Sequence, residues 1–224
     1  MPLSEIPVLY SDPHLLIVNK PTLLLSVPGR AENNKDCLIL RLQQNGYPEA
    51  LIVHRLDWET TGLMVLARTP QAHSELSRLF RERRVLRRYQ ALCWGSLPGE
   101  AGQIDLPMRY DPPNKPRQIV DWVHGKPALT SWRLLARKKS YSRVELTPYT
   151  GRSHQLRIHL NSLGHPILGD PLYAHPAALQ AASRMCLHAT ELAFAHPVSL
   201  QPLHFHCAAD FQLTANHPES LQTT

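Results

Sequence analysis

The sequence predicts an α+β fold with a central, mostly antiparallel mixed sheet and flanking helices and loops. Strand-like and helix-like segments are mixed along the chain, without the regular alternation of a doubly wound α/β protein. Two early apolar segments are separated by an Asp-Pro turn, as in a β-hairpin. Segments with helical periodicity are few, and strand-like segments lie between them.

The N-terminal part of the chain contains the predicted hairpin, a short helix and a buried strand. Residues 8–10 and 15–18 are apolar and strand-like, and residues 12–14 form the Asp-Pro turn between them. Leu38–Leu42 predicts a short helix. Leu63–Ala67 is continuously apolar and predicts a buried strand.

Two further helices are predicted from their ends and their apolar faces. The Thr69 hydroxyl suits an N-cap and Pro70 suits the first helical position, and this helix should end near Arg84. A later helix should begin after Gly151 and end at Gly164. The two apolar faces consist of Ala72, Leu76, Leu79 and Phe80, and of Leu156, Leu160 and Leu163.

The remaining segments predict three strands and one irregular region. The strands are expected at Arg88–Trp94, Ala128–Leu135 and Ser142–Leu146. Residues 107–125 are rich in proline and polar residues and predict a loop or small flap. We expect one domain over residues 1–215, followed by a flexible tail over residues 216–224.

The composition narrows the class of protein. The 224 residues include 24 Lys and Arg against 18 Asp and Glu, a formal net charge of +6. This balance permits a polyanionic partner but does not require one. Four cysteines without a Cys-x-x-Cys pair are typical of reduced thiols. Without a signal peptide or an apolar run of roughly 20 residues, we expect a cytoplasmic protein with no membrane partner.

The stretch from His54 to Gly62 holds the first candidate for chemistry, Asp57. Its carboxylate lies between an apolar leucine and a tryptophan, so partial burial is expected. Such a carboxylate stays ionised only beside a positive charge or several hydrogen-bond donors. Arg55 would share a face with Asp57 if the segment were a strand. A structural ion pair and a functional carboxylate are equally good interpretations of these residues.

Arg152 is the second candidate, because an arginine near the start of a helix opposes the helix dipole. It is expected to have an anionic partner, either Asp57 or a phosphate drawn to the free amides of the helix. A solvated arginine is the alternative. His154 and His159 are five residues apart and share no helical face, so we predict no metal site there.

Tyr89 and the arginines around it form the third candidate group. A tyrosine on a strand is most often a core residue, and its alternative role is to stack on a base or assist proton transfer. The arginines predict a phosphate-binding surface, with a solvated helix end as the alternative. They are Arg78, Arg81, Arg83, Arg84, Arg87 and Arg88.

These segments, taken in order, resemble the motifs of the RluA-type pseudouridine synthases. The resemblance runs from about Val8 to Phe211 and leaves no segment for an S4 RNA-binding domain. The matching motifs are Asn19-Lys20-Pro21, His54-Arg55-Leu56-Asp57, Arg88-Tyr89-Gln90-Ala91, Thr150-Gly151-Arg152-Ser153-His154-Gln155, Gly164-His165-Pro166 and Leu187-His188-Ala189.

The resemblance implies the pseudouridine synthase fold and an isomerase that converts specific uridines of 23S rRNA, tRNA or both, without a cofactor. It implies that Asp57 is the essential carboxylate, that Arg152 pairs with it, and that Tyr89 packs against the uracil. The implied RNA-binding residues are Arg55, Arg83, Arg84, Arg87, Arg88 and Leu187. We expect a monomer.

The chain departs from the family pattern in two segments. Leu23 stands where the family commonly has glycine. Because leucine is expected to avoid the positive φ that glycine can take, the turn after Pro21 is expected to differ. Trp58 and Glu59 are bulkier and more acidic than usual after the aspartate. Two alternatives also stay open: a non-catalytic RNA-binding protein, and a nucleoside or glycoside hydrolase that uses Glu59 as its second carboxylate.

Overall fold

The computed structural model describes residues 6–29 and 35–214. The predicted tail over residues 216–224 lies outside the described residues. The helices are α1 (Leu38–Gln44), α2 (Pro70–Arg81), α3 (Gln155–Ser162) and α4 (Pro176–Gln180). The strands are β1 (Val8–Ser11), β2 (Leu15–Lys20), β3 (Leu51–Ile52), β4 (Thr61–Ala67), β5 (Leu86–Trp94), β6 (Ala101–Asp105), β7 (Met108–Tyr110), β8 (Gln118–Val120), β9 (Leu129–Arg137), β10 (Tyr141–Pro148), β11 (Leu187–Ala195) and β12 (Pro202–His206).

The chain divides into two compact units. The first contains the described residues up to Arg87 together with His188–Ala209. The second contains Arg88–Leu187 and the described residues from Asp210 onward. One domain over residues 1–215 stays a prediction.

The sheet of the first unit is built around β4, whose seven residues are all buried. On β4, β2 pairs antiparallel over its full length, and β1 continues the sheet as the predicted hairpin. The strand β3 is also antiparallel to β4, whereas β11 pairs with the first residues of β4 in parallel. A strand buried on both faces needs apolar residues at every position, which is why Leu63–Ala67 shows no alternation.

Helix α2 covers this sheet and completes the core of the first unit. The Thr69 hydroxyl accepts a hydrogen bond from Ala72 N at 3.1 Å, as predicted for an N-cap. The helix ends at Arg81 rather than near Arg84, because Arg83 takes a left-handed conformation with φ of 59°. The amide of Arg84 then bonds back to Leu79 O at 2.9 Å and closes a Schellman motif.

The second unit contains an antiparallel sheet in the order β5, β10, β9, β6. The predicted strands are confirmed as β5, β9 and β10, and the strict alternation of buried and partly exposed residues in β10 fits a half-buried strand. Helix α3 begins at Gln155, and Gly164 follows its end with φ of 81°.

The segment predicted as a loop or flap contains regular structure. Met108–Tyr110 and Gln118–Val120 pair as an antiparallel hairpin, β7 and β8, joined through a 3-10 turn at Pro112–Asn114. Each strand has only three residues and the connection is rich in proline, so neither strand has enough alternating residues to be recognised from sequence.

The predicted α+β class with a mixed, mostly antiparallel sheet is confirmed. Among the residues described in the two ranges, no helix is long and apolar enough to cross a membrane.

Candidate functional site

Asp57 lies in the loop between β3 and β4, in the first unit. The residues from 53 to 60 are not a strand, so the shared strand face predicted for Arg55 and Asp57 is not found. The Arg55 side chain is exposed and Asp57 is half-buried. The loop closes on itself through a hydrogen bond of 3.2 Å from Thr60 N to Asp57 O.

Lys20, the last residue of β2, is fully buried beside this loop. Its ammonium donates to Pro21 O at 2.8 Å, to Leu24 O at 2.8 Å and to Trp58 O at 3.2 Å. Three carbonyls match the three donors of a charged ammonium. Burial lowers the pKa of Lys20 to about 7, against the opposing effect of the negative charges of Asp57 and Glu59. An amino group that is charged below about pH 7 therefore lies near the candidate carboxylate within the same unit.

The turn after Pro21 holds the loop from a second direction. Leu24 N donates to Trp58 O at 3.2 Å, and the Thr22 hydroxyl donates to Glu59 O at 3.1 Å. The expectation that Leu23 would avoid a positive φ is wrong: its φ is 56°. The hydrogen bonds on either side impose this conformation, and the Leu23 side chain stays 59% exposed.

His54 fixes the beginning of the loop to β4. Its Nε2 atom accepts a hydrogen bond from Val65 N at 3.1 Å, which requires the neutral ring. The ring stacks on Phe80 with centroids 4.6 Å apart, and the Arg87 guanidinium lies over the Phe80 ring, 5.8 Å from its centroid. Burial, with a further effect of the Arg87 charge, lowers the pKa of His54 to about 3. The acceptor is therefore preserved at physiological pH.

The end of the loop is fixed by close packing of β4 on β11. Gly62 has φ of 111°, and a Cβ atom there would lie 2.3 Å from Ala189 O. The neighbouring Thr61 hydroxyl is 2.7 Å from His188 Nδ1. His188 and Ala189 thus supply the surface against which the Asp57 loop ends.

Arg152 lies in the second unit, in the turn that precedes α3. Its side chain is exposed, and its Nε atom donates to Pro127 O at 3.1 Å. The buried side chain of Gln155 shapes this turn, because its Oε1 atom accepts from Arg152 N at 3.0 Å and from the Thr150 hydroxyl at 2.7 Å. The Gln155 amide nitrogen donates to Leu129 O at 3.0 Å and to the Thr130 hydroxyl at 2.9 Å.

A buried ion pair supports α3 behind that turn. Arg157 donates two hydrogen bonds to the carboxylate of Asp170, at 2.8 and 2.7 Å, and both side chains are at most 1% exposed. The Arg157 guanidinium also lies over the Tyr173 ring, whose hydroxyl is 2.8 Å from His154 Nδ1. His154 has φ of 56° and ends the turn. Because His154 precedes helix α3, it shares no helical face with His159.

Tyr89 lies in β5, opposite Leu146 of β10, and is 9% exposed. Leu187, predicted to contact RNA, is the first residue of β11, and its side chain is also buried. Both assignments stay predictions.

The basic run is only partly available to an anion. Arg78 is held by Glu75 at 2.5 Å and by Glu82 at 2.7 Å, so its charge is already compensated. Arg83 and Arg84 lie just beyond the end of α2 and are exposed, with Arg84 3.7 Å from Glu82. Arg88 belongs to the second unit, where it lies 4.0 Å from Glu145.

Three residues that hold either the Asp57 loop or the Arg152 turn in place are missing from the sequence-based list: Lys20 and His54 in the first unit, and Gln155 in the second. The sequence signal for Lys20 is its position between strand residues and a proline. A lysine is almost never fully buried unless its ammonium has partners. Chemically, Asp57 is a half-buried carboxylate in a loop that several hydrogen bonds hold in place. Such a group can act as a nucleophile or as a base.

The chain is similar to known proteins of one family. Residues 14–162 match the family model described as RNA pseudouridylate synthase, which is more than half of the chain. The chain is 52% identical over 186 residues to the Dual-specificity RNA pseudouridine synthase RluA of Yersinia pestis, covering 83% of this chain and 90% of that protein. The protein of that name from Escherichia coli (strain K12) is 49% identical, with 83% and 84% covered.

Solved structures show the same fold. Human RNA Pseudouridylate Synthase Domain Containing 1 superimposes with a TM-score of 0.76 at 26% identity, covering 91% of this chain and 83% of that one. Human RNA Pseudouridylate Synthase Domain Containing 4 gives 0.72 at 29% identity, covering 91% and 88%. The predicted resemblance is confirmed, and the chain belongs to the RNA pseudouridylate synthase family, whose fold it shares.

Proposed function

We propose that this protein is an RNA pseudouridine synthase that isomerises specific uridines in structured loops of 23S rRNA, tRNA or both. The reaction breaks the N1–C1′ bond of uridine, turns the base and joins C5 to C1′, while the C5 proton leaves and N1 gains one. It needs no redox change. One support is the family membership. The other is the names of relatives whose sequences are about 50% identical to this chain, since these relatives are called dual-specificity RNA pseudouridine synthases. The observation that carries the proposal is the half-buried Asp57 in a fixed loop beside the buried Lys20 cation.

In this proposal Asp57 acts on the ribose as nucleophile or as base, and either role requires its ionised form. Arg152 is its proposed ionic partner, and Tyr89 is proposed to pack against the uracil and assist removal of the C5 proton. These two roles rest on the family resemblance. The target uridine must leave its stack, which costs a few kcal/mol.

The proposed RNA surface consists of exposed or partly exposed arginines. Arg55, next to the Asp57 loop, is proposed to fill the space that the extruded base leaves. The phosphate contacts are assigned to Arg83, Arg84, Arg87 and Arg88. We further propose a monomer that works in the cytoplasm without a cofactor.

Tritium release from C5-labelled uridine in RNA tests the catalytic assignment. Wild type should release tritium, and Asp57→Asn should release none above background while keeping its fold. Glu59→Gln is the matched control, because it removes the other carboxylate of the same loop. The Glu59 side chain is buried. Equal release by wild type and Asp57→Asn would contradict the role of Asp57.

The same assay separates the alternatives. A hydrolase would liberate free uracil and would lose activity in both carboxylate variants. A non-catalytic RNA-binding protein would bind RNA tightly and form no pseudouridine in total cellular RNA.

The salt dependence of RNA binding tests the arginine surface. The double substitution of Arg83 and Arg84 by alanine should weaken binding and reduce the salt slope by about 1 for each phosphate that the variant no longer binds. Arg78→Ala is the control, since Glu75 and Glu82 already compensate its charge. An unchanged slope in the double variant would place the phosphate-binding residues elsewhere.

A further inference from the structure

The Arg152 turn, over residues 150–154, ends at His154 in a strained backbone conformation. His154 directly precedes α3 and has φ of 56°, in the left-handed region that residues other than glycine rarely adopt. Its Nδ1 atom lies 2.8 Å from the Tyr173 hydroxyl, and the two rings meet edge to face with centroids 5.7 Å apart. The Tyr173 side chain therefore fixes the His154 ring, two residues after Arg152.

The Tyr173 hydroxyl also bonds to the β7–β8 hairpin. Its oxygen accepts a hydrogen bond of 2.8 Å from the main-chain amide of Gln118, the first residue of β8. A hydroxyl has one proton to donate, and donation to His154 Nδ1 satisfies both partners. This assignment places the proton of the neutral His154 ring on Nε2. One hydroxyl therefore joins the hairpin to the start of α3.

The Tyr173 ring is itself held from several sides. The Arg157 guanidinium lies over the ring, 5.2 Å from its centroid, and the Arg117 guanidinium lies 6.0 Å from it. Arg157 is fixed by its buried ion pair with Asp170, whose Oδ1 atom also accepts from Tyr173 N at 3.2 Å. The ring packs against a small cluster of buried apolar side chains as well. Removing the hydroxyl alone therefore leaves the ring in place.

The Arg152 side chain depends on this turn for its position. Arg152 is exposed, and its Nε atom donates to Pro127 O at 3.1 Å. An exposed arginine has many rotamers, so the place of its guanidinium depends on how firmly the main chain beneath it is held. Gln155 holds that main chain at Arg152 N, and the contact between Tyr173 and His154 holds the end of the turn.

We infer that Tyr173 is a positioning residue for the isomerisation: through His154, its hydroxyl holds the Arg152 turn in the conformation in which Arg152 acts. This inference rests on the proposed function and adds a residue to it. Tyr173 acts through His154 and takes no part in the chemical step itself. A purely structural role is the alternative, and it would lower the stability of the protein without slowing the reaction of bound RNA.

Tyr173→Phe tests the inference, because it removes the hydroxyl and keeps the ring. The substrates are unmodified transcripts of tRNA and of 23S rRNA stem-loops, labelled with tritium at C5 of uridine. At saturating RNA, the single-turnover rate constant should fall by about 10- to 100-fold, since misplacing a catalytic group by about 1 Å can cost about 100-fold. The Kd for the transcripts should stay as in wild type. A wild-type rate constant would overturn the inference.

Ser142→Ala is the matched control for stability. The Ser142 hydroxyl is buried in the same unit, accepts from Leu97 N at 2.8 Å and donates to Gly95 O at 3.0 Å. Like Tyr173→Phe, the variant loses one hydroxyl that joins two parts of the chain, so urea denaturation should show a comparable loss of stability. Its rate constant should equal that of wild type. Equal slowing in both variants would overturn positioning in favour of a general effect of stability.

His154→Gly tests the link between the hydroxyl and the turn. Glycine adopts the left-handed conformation without strain, so this variant removes the ring and keeps the backbone preference. It should slow the reaction as much as Tyr173→Phe does. In 15N NMR, Tyr173→Phe should shift the His154 Nδ1 resonance of wild type. A wild-type rate constant in His154→Gly, or an unchanged Nδ1 resonance in Tyr173→Phe, would overturn the route through His154.

A double-mutant cycle with Arg152→Ala shows whether Tyr173 acts on Arg152. Once Arg152 is alanine, the additional change of Tyr173 to phenylalanine should lower the rate constant no further. Losses that multiply would overturn the inference, because Tyr173 would then act on another group. The proposed function fails separately: it is overturned, and the inference with it, if wild type forms no pseudouridine in either transcript. If wild type is active, Arg152→Ala is inactive and Tyr173→Phe is fully active, the inference alone is overturned.

Discussion

The Lys20 ammonium donates a hydrogen bond to the main-chain carbonyl of Trp58, 3.2 Å away, and so joins the end of β2 to the loop that carries Asp57. The same carbonyl accepts from Leu24 N. A buried cation and a strained turn therefore hold one peptide group, directly after the candidate carboxylate.

Lys20 should titrate near neutral pH. Its pKa is lowered to about 7 by burial, so the 13C resonance of its ε-carbon should show a midpoint near 7 in NMR. A Lys20 midpoint near that of ordinary lysines would contradict the burial effect.

The same pKa has a consequence for stability. Between about pH 7 and the ordinary lysine pKa, the unfolded chain binds more protons at Lys20 than the folded protein does, so this group makes the free energy of unfolding rise with pH. Below about pH 7 both states are protonated and its contribution is constant. In urea denaturation the free energy of unfolding of the Lys20→Met variant should lack this rise. The difference in the free energy of unfolding between wild type and the variant therefore measures the contribution of Lys20.

Leu23→Gly should relieve the left-handed backbone strain and raise the free energy of unfolding by at most about 1 kcal/mol. It should also change the ratio of kcat/KM between rRNA and tRNA stem-loops, since it removes an exposed apolar side chain beside the Asp57 loop. Leu200→Gly is the matched control, because Leu200 has φ of 62° and is 69% exposed. Equal effects of both variants on the ratio of kcat/KM would show that the Leu23 side chain does not contact the RNA.

Gly62→Ala should be far more destabilising than Gly46→Ala in urea denaturation. Both glycines have a positive φ, so alanine strains the backbone by about 1 kcal/mol in each case. Only at Gly62 would the new methyl group also overlap a main-chain atom, Ala189 O, whereas Gly46 has open space around it. Equal losses in the two variants would show that β4 can move away from β11 at low cost.

Asp170→Asn should cost about 3–5 kcal/mol, because it leaves the buried Arg157 guanidinium without its counter-charge. Asp36→Asn provides the comparison: Asp36 itself is exposed, and ion pairs with a solvent-exposed partner contribute about 1 kcal/mol or less. Thermal or urea unfolding measures both. A small loss in Asp170→Asn would mean that water reaches Arg157.

Local signals in the sequence were sufficient for several elements of the fold. The Thr69 cap, the Asp-Pro turn at residues 12–14 and the apolar run at Leu63–Ala67 each have a cause within a few residues, and each is confirmed. The sequence does not predict the positions of β6 and β11, because their pairing partners lie far away in sequence. The short strands and the prolines of the β7–β8 hairpin predict a loop, and this prediction is wrong.

The candidate site was predictable to the extent that it resembles a family. Asp57 and Arg152 stand in motifs that can be read directly. The burial of Lys20 and the acceptor role of His54 depend on contacts with Trp58 and Val65 that only folding brings about. The left-handed Leu23 contradicts its own residue preference, because the hydrogen bonds around it are worth more than the strain.

Gln155 carries a constraint on how this chain can change over time. Its amide gives two hydrogen bonds and takes two, all in a buried position beside Arg152. Glutamate has the same shape and is one base change away in the genetic code. Both of its carboxylate oxygens are acceptors, however, and one of them would lie against another acceptor, Leu129 O. The change from Gln155 to glutamate is therefore unfavourable, and sequence divergence in the Arg152 turn has to begin at a different residue.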